Sequence, residues 1–277
     1  MNRAWHFTDD PTALPQAAHT ALAADPARNT VLLTMLRGDG RRGWFAHERA
    51  AGEVSGVCLV TAGGMLVLGA MDDEAARLLA AVTPETIPEV IPEVREVRGE
   101  AAAVEAYGLG SGRAWRVTRR MRLYRLGELT PEEPGPPGGA RLATAADVPL
   151  VLDWMRAFAA DIGEDPDADH SANVRARVDE GLLHLWEVAG EPVAMASVSR
   201  TEAGQARVSP VYTPPAHRAR GYGGAVTAAV SRAARTAGAT QVLLFTDLAN
   251  PTSNALYQRL GYRPVRDHLA AVPDTLV

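Results

Sequence analysis

The chain has 277 residues, 47% of them hydrophobic and 22% charged, with a formal net charge of −5 at pH 7. That is ordinary globular composition, with room for one large or two smaller domains. A mildly acidic molecule is not a nucleic-acid binder by charge, and the single cysteine, Cys58, excludes an internal disulfide and fits a reducing cytoplasm.

The N-terminal stretch MNRAWHFTDDPTALPQ has no apolar core of the signal-peptide kind, and no stretch approaches membrane-spanning length. A cytoplasmic protein without membrane contact is therefore expected. Alanine- and leucine-rich helices are expected near 11–24 and 26–37. Strands GWFAHE and VSGVCLV flank a turn at 51–54, AGEV, and a third strand, MLVLGAM, covers 65–71. Cys58 lies inside the second of these and reads as a small core residue. DDEAARLLAAV follows as a helix that opens on three acids, Asp72, Asp73 and Glu74. The prolines of TPETIPEVIPEV, 83–94, recur every four residues and predict an extended connection. A helix containing Tyr107 and a closing strand, RVTRRMRLYRL, complete this half, with Arg116, Arg119, Arg120, Arg122 and Arg125 on the strand's solvent face.

Residues 129–139, LTPEEPGPPGG, are a proline- and glycine-rich linker. They divide the chain into domains at 1–128 and 140–277. The second half opens with Thr144 as a helix N-cap and Asp147 three residues on. Trp154, Phe158 and Ile162 then recur on one helix face. Glu164, Asp165, Asp167 and Asp169 crowd the next loop, which reads as a solvated turn or as a field for a cationic amine. After a second helix come strands LLHLWEV and VAMASVSR around AGEP at 189–192, and then ARVSPVY at 206–212. The order of elements in the two halves matches, which points to internal duplication.

The stretch VSPVYTPPAHRARGYGG, 208–224, organises the second half. Pro210 removes a ladder donor, so its strand should be bulged or splayed there. Arg218, Arg220, Gly221, Gly223 and Gly224 precede a helix that runs to Gly238. Bare glycine backbone at a helix start, beside two arginines, is suited to an anion. A dinucleotide-binding fold would need GxGxxG directly after the first strand and an acid about 20 residues on, and neither is present. The strand QVLLFTD, 241–247, is followed by Asn250, a short helix with Tyr257, then Leu260-Gly261-Tyr262.

Arg218-x-x-Gly221-x-Gly223 after a strand, with this second motif behind it, resembles the GCN5-related N-acetyltransferase (GNAT) family. The resemblance implies an α/β fold of two tandem GNAT-like domains, each a mixed, splayed β-sheet flanked by helices. It implies acetyl-CoA as co-substrate and direct acetyl transfer to a primary amine of a small molecule or peptide. The donor's pyrophosphate would meet the backbone of Arg218, Ala219, Arg220, Gly221, Tyr222, Gly223 and Gly224, helped by an arginine. Its pantetheine arm would pair with Val211, Tyr212 and Thr213. Asn250 matches the family residue that meets the pantetheine, and Ser253 does the same or caps its helix. The Val211 N–H is the candidate oxyanion donor. Tyr257 matches the position that protonates the leaving thiolate.

No general base stands out, with Glu164, Glu187 and Glu202 all conceivable. The histidines lack metal-ligand spacing, so no metal is expected. The first half has no arginine-glycine loop and no asparagine before its short helix, so a degenerate domain without the donor is expected. A non-catalytic acyl-CoA-binding sensor is the alternative, and either reading is compatible with a homodimer.

Overall fold

The structure is a computed structural model; it describes residues 4–8, 10, 13–36, 42–49, 53–61, 63–86 and 93–274. The first half is built from β1 (Ala4–Thr8), α1 (Gln16–Ala24), α2 (Thr30–Met35), β2 (Arg42–Arg49), β3 (Glu53–Thr61), β4 (Met65–Leu68), α3 (Asp73–Thr86), β5 (Glu96–Glu100), α4 (Ala101–Gly110) and β6 (Trp115–Leu126). The second half repeats that order with β7 (Gly139–Leu142), α5 (Val148–Asp161), α6 (Ser171–Asp179), β8 (Leu183–Val188), β9 (Glu191–Val198), β10 (Gln205–Tyr212), α7 (Tyr222–Thr236), β11 (Gln241–Asp247), α8 (Pro251–Arg259) and β12 (Tyr262–Pro273). The fold is α/β, a large mixed sheet of twelve strands among the described residues, flanked by helices.

Two compact units result. One comprises residues 1–123, 245–250 and 264–277, and the other 124–244 and 251–263. Most of β12 therefore belongs with the first unit. There it runs antiparallel to β5, with His268 opposite Glu100 and Leu269 opposite Gly99. Among the described residues, no helix is long and apolar enough to cross a membrane.

In the first unit β1, β2, β3 and β4 pair antiparallel in sequence, and β4 pairs parallel with β5. Alternation along β3 puts Cys58 and Val60 with Leu66, Leu79, Val97 and Leu269 on one face. Leu59 packs with Leu22, Leu32 and Val67 on the other. Cys58 is fully buried, as a small core residue should be, and burial pushes its thiol pKa up. The extended connection expected over 83–94 is corrected in part. Helix α3 carries through Pro84 to Thr86. Its buried Ala75, Ala76, Leu79 and Ala80 anchor it firmly enough to tolerate the one hydrogen bond Pro84 removes. Residues 87–92 lie outside the described residues, as do Ala51 and Gly52 of the expected AGEV turn.

In the second unit β7, β8, β9 and β10 pair antiparallel, and β10 pairs parallel with β11. Helix α7 is alanine-rich, and Val226, Val230 and Ala234 fall on one face at four-residue spacing. They pack with Val193, Ala196, Val208, Val242 and Leu244, each buried valine contributing about 1.5–3 kcal/mol. The opposite sheet face packs Leu183, Leu185, Met195 and Tyr212 against Val151, Val174 and Val178 of α5 and α6. The expected capping box is present: the Asp147 carboxylate accepts from the Thr144 N–H at 2.7 Å and from its hydroxyl at 2.9 Å. The turn after α8 is open to glycine alone. Gly261 has φ 95°, and a Cβ there would lie 1.7 Å from the Glu128 carbonyl oxygen.

Candidate active site

The site is built at the end of β10. Its pairing with β9 skips from Val208–Val198 to Val211–Ala196, a bulge at Ser209-Pro210. Its parallel register with β11 covers Gln205–Val208 against Gln241–Leu244. Val211 and Tyr212 therefore extend beyond that parallel register with one strand edge turned away from β9. Pro210 predicts this local departure, because it cannot donate to a ladder. Arg177 of α6 holds the bulge from one side, donating to the Ser209 carbonyl and, at 2.9 Å, to the Ser197 hydroxyl. Burial lowers the pKa of Arg177. Arg177 belongs to no motif of the sequence; its one signal is an arginine set between the buried Val174 and Val178 of α6.

The side chain of Tyr212 is core. It packs on Trp154 and Phe158 of α5 at ring-centroid distances of 6.2 and 6.4 Å. A ligand at the end of β10 would therefore meet only its backbone. Thr213 follows, and the Arg218 Nε donates to its carbonyl at 2.9 Å. Arg218 also pairs with Asp161 at the end of α5 and lies 5.8 Å above the Tyr212 ring. These contacts fold the loop back on β10 and turn the Arg218 side chain toward α5. Arg220 is exposed and makes no ion pair among the described residues.

Two residues of the loop take left-handed backbone, Ala219 at φ 60° and Gly221 at φ 81°. Gly221 is the N-cap of α7 and offers no side-chain cap. The first intrahelical bond here runs from Ala225 N–H to the Gly221 carbonyl at 3.0 Å. The N–H groups of Tyr222, Gly223 and Gly224 lie before it in the first turn, where helix N–H groups lack intrahelical partners and the dipole is positive. The Tyr222 side chain is buried in the core.

Tyr257 projects from α8 into the same core, 8% exposed, and meets Tyr262 edge-on at 6.0 Å. Burial pushes its phenol up to about 12. Its hydroxyl has no hydrogen-bond partner among the described residues. Ser253 occupies the first turn of α8. Asn250 stands just before that helix and donates its N–H to the Asp247 carbonyl at 3.0 Å. It groups with the first unit, whereas the other expected site residues group with the second.

Of the conceivable bases, Glu187 is held by Arg141, which also grips Asp147 through two hydrogen bonds of 2.8 and 2.9 Å. Glu202 forms a β-bridge with Gln205. In the acidic loop, Asp165 accepts from the Asp167 N–H and Asp169 from the Ser171 N–H, so both act as turn formers.

The model of the acetyltransferase (GNAT) family matches residues 149–262. No curated protein matches the chain. Solved structures do. An acetyltransferase of the GNAT family from Colwellia psychrerythraea superposes with a TM-score of 0.65 at 14% identity, covering 98% of this chain and 99% of the other. A GCN5-related N-acetyltransferase from Sphaerobacter thermophilus gives 0.65 at 16% identity, covering 96% and 94%. A tandem GNAT protein from the clavulanic acid biosynthesis pathway gives 0.61 at 13% identity, covering 97% and 98%. At these identities the structures speak for the fold, and the family match speaks for the second half of the chain. Residues 149–262 are a domain of the acetyltransferase (GNAT) family, which has the fold of acyl-CoA-dependent N-acetyltransferases.

Proposed function

We propose that the chain transfers an acetyl group from acetyl-CoA to a primary amine of a small molecule or peptide, by direct attack and without an acyl-enzyme. The observation that carries this reading is the start of α7: a left-handed Gly221, no side-chain cap, and two further glycines in the first turn. Bare N–H groups there suit a pyrophosphate, and the exposed Arg220 adds a cation. The edge of Val211 and Tyr212 that is turned away from β9 suits an extended pantetheine arm. Ser253 supplies a polar group to that arm. Acetyl-CoA supplies the activated thioester. The Val211 N–H stabilises the developing oxyanion. Tyr257 stays protonated at neutral pH and gives its proton to the leaving sulfur.

The donor site belongs to the half after the linker. In the first half, an acid occupies the corresponding helix start: Asp72 accepts from the Ala75 N–H at 2.8 Å. A Cβ on Gly99 of β5 would meet the Leu68 Cβ of β4 at 2.8 Å, so those two strands stay close where β10 and β11 part. Both features oppose an anionic, strand-splitting ligand.

Glu187 is already paired with Arg141, and neither Glu164 nor Glu202 is assigned as the general base, which favours a second reading, an acyl-CoA-binding sensor without turnover. A thiol-release assay with acetyl-CoA and a panel of amines separates the two. Release on any primary amine supports the enzyme; donor binding with no release on every amine supports the sensor.

A further inference from the structure

The linker is pinned to the second unit at both ends. The Thr130 N–H donates to the Leu260 carbonyl at 3.1 Å, and its hydroxyl to the Arg259 carbonyl. Further along, the Trp186 Nε1 donates to the Pro137 carbonyl at 2.9 Å. The segment between these anchors is carried to the start of α7. Measured from where a Cβ on Gly221 would stand, the Pro136 Cγ is 3.5 Å away and a Glu132 carboxylate oxygen 3.6 Å. The linker, α7 and α8 enclose a cavity of about 360 Å³. Its α7 wall includes Gly221, Gly224, Ala225 and Ala228, whose small side chains leave the space open.

A carboxylate beside an uncapped helix start is in a favourable field. For an entering phosphate it is a like charge at close range. We infer that the linker is a wall of the donor site and that Glu132 in it limits how tightly phosphate-bearing donors are held. This rests on the donor reading above and extends it to residues outside the family-matched segment. Glu132 is exposed and unpaired among the described residues, so its substitution is expected to leave the fold intact.

The test is calorimetric titration of the full chain with CoA, comparing the native protein with Glu132→Gln and Glu132→Lys. At about 0.05 M salt the Gln variant is expected to bind roughly three- to ten-fold more tightly, and the Lys variant more tightly still. At about 0.5 M salt the gain should shrink toward unity, because exposed charges are then screened. Unchanged or weaker CoA binding in both variants overturns the inference while native binding keeps the donor site standing. A gain that persists at high salt also overturns it, since the effect would then come from packing. Failure of the native chain to bind CoA removes the inference and the donor reading together.

Discussion

The guanidinium of Arg218 lies 5.8 Å above the ring of Tyr212, while its Nε is bonded to the Thr213 carbonyl and its terminal nitrogen to Asp161. One side chain thus ties the last residues of β10 to the loop that leads into α7. Arg218 is about half exposed, so its ion pair contributes little to global stability. Its effect should appear in the loop. Arg218→Ala is expected to weaken acetyl-CoA binding about ten-fold while lowering stability by less than about 1 kcal/mol. Calorimetry and urea unfolding read the two quantities separately.

Gly221 predicts a graded response. At φ 81° an L side chain is strained, so Gly221→Ala should cost about 1–2 kcal/mol of stability. Gly221→Glu adds a carboxylate at the helix start and should abolish acetyl-CoA binding with the far-ultraviolet circular dichroism unchanged. Native-like donor affinity in the Glu variant would remove the phosphate loop from the site.

Tyr257→Phe removes only a hydroxyl that has no partner among the described residues. Donor affinity should stay within about two-fold of native and stability within about 0.5 kcal/mol. If the phenol protonates the leaving sulfur, kcat should fall by about 10²–10⁴. With the phenol pushed up to about 12, its deprotonation leaves the pH profile flat through pH 9. An unchanged kcat would make Tyr257 a packing residue.

His268 predicts an acid-sensitive first unit. It is 6% exposed, its Nε2 is buried without a hydrogen bond among the described residues, and it stacks edge-on to Phe245 at 4.8 Å. Burial pulls its pKa down to about 4; Glu100 and Asp267 oppose that shift and Arg28 adds to it. The unfolded chain, with a histidine pKa near ~6.5, takes up this proton first. Stability therefore falls as pH drops from about 6.5 to 4. His268→Gln should flatten that slope in urea titrations across the window, and a slope equal to native would contradict the assignment.

The site motif was legible because its residues are constrained by backbone. Gly221 needs left-handed φ, Gly261 has no room for a Cβ, and Pro210 cannot join a ladder. Such requirements leave residue-specific marks in a single sequence. The repeated order of elements was legible for a similar reason, from strand and helix periodicity in both halves. What stayed hidden depends on tertiary neighbours. Nothing in the alternation of β12 says that His268 pairs with Glu100. Nor does an arginine in α6 announce that it reaches the Ser209 carbonyl. The linker composition predicts irregular backbone, but the arrival of Glu132 beside Gly221 follows from the anchors at Thr130 and Pro137. Pro84 misled in the other direction, since the buried face of α3 outweighs one lost hydrogen bond.

We propose a single donor site, at the start of α7. Calorimetric titration of the full chain with acetyl-CoA, run beside Gly221→Glu, tests it most directly. One acetyl-CoA bound per chain is expected, with binding lost in the variant. Two per chain would place a donor in the first half as well, and no binding by the native chain would contradict the assignment built on Arg218 to Gly224.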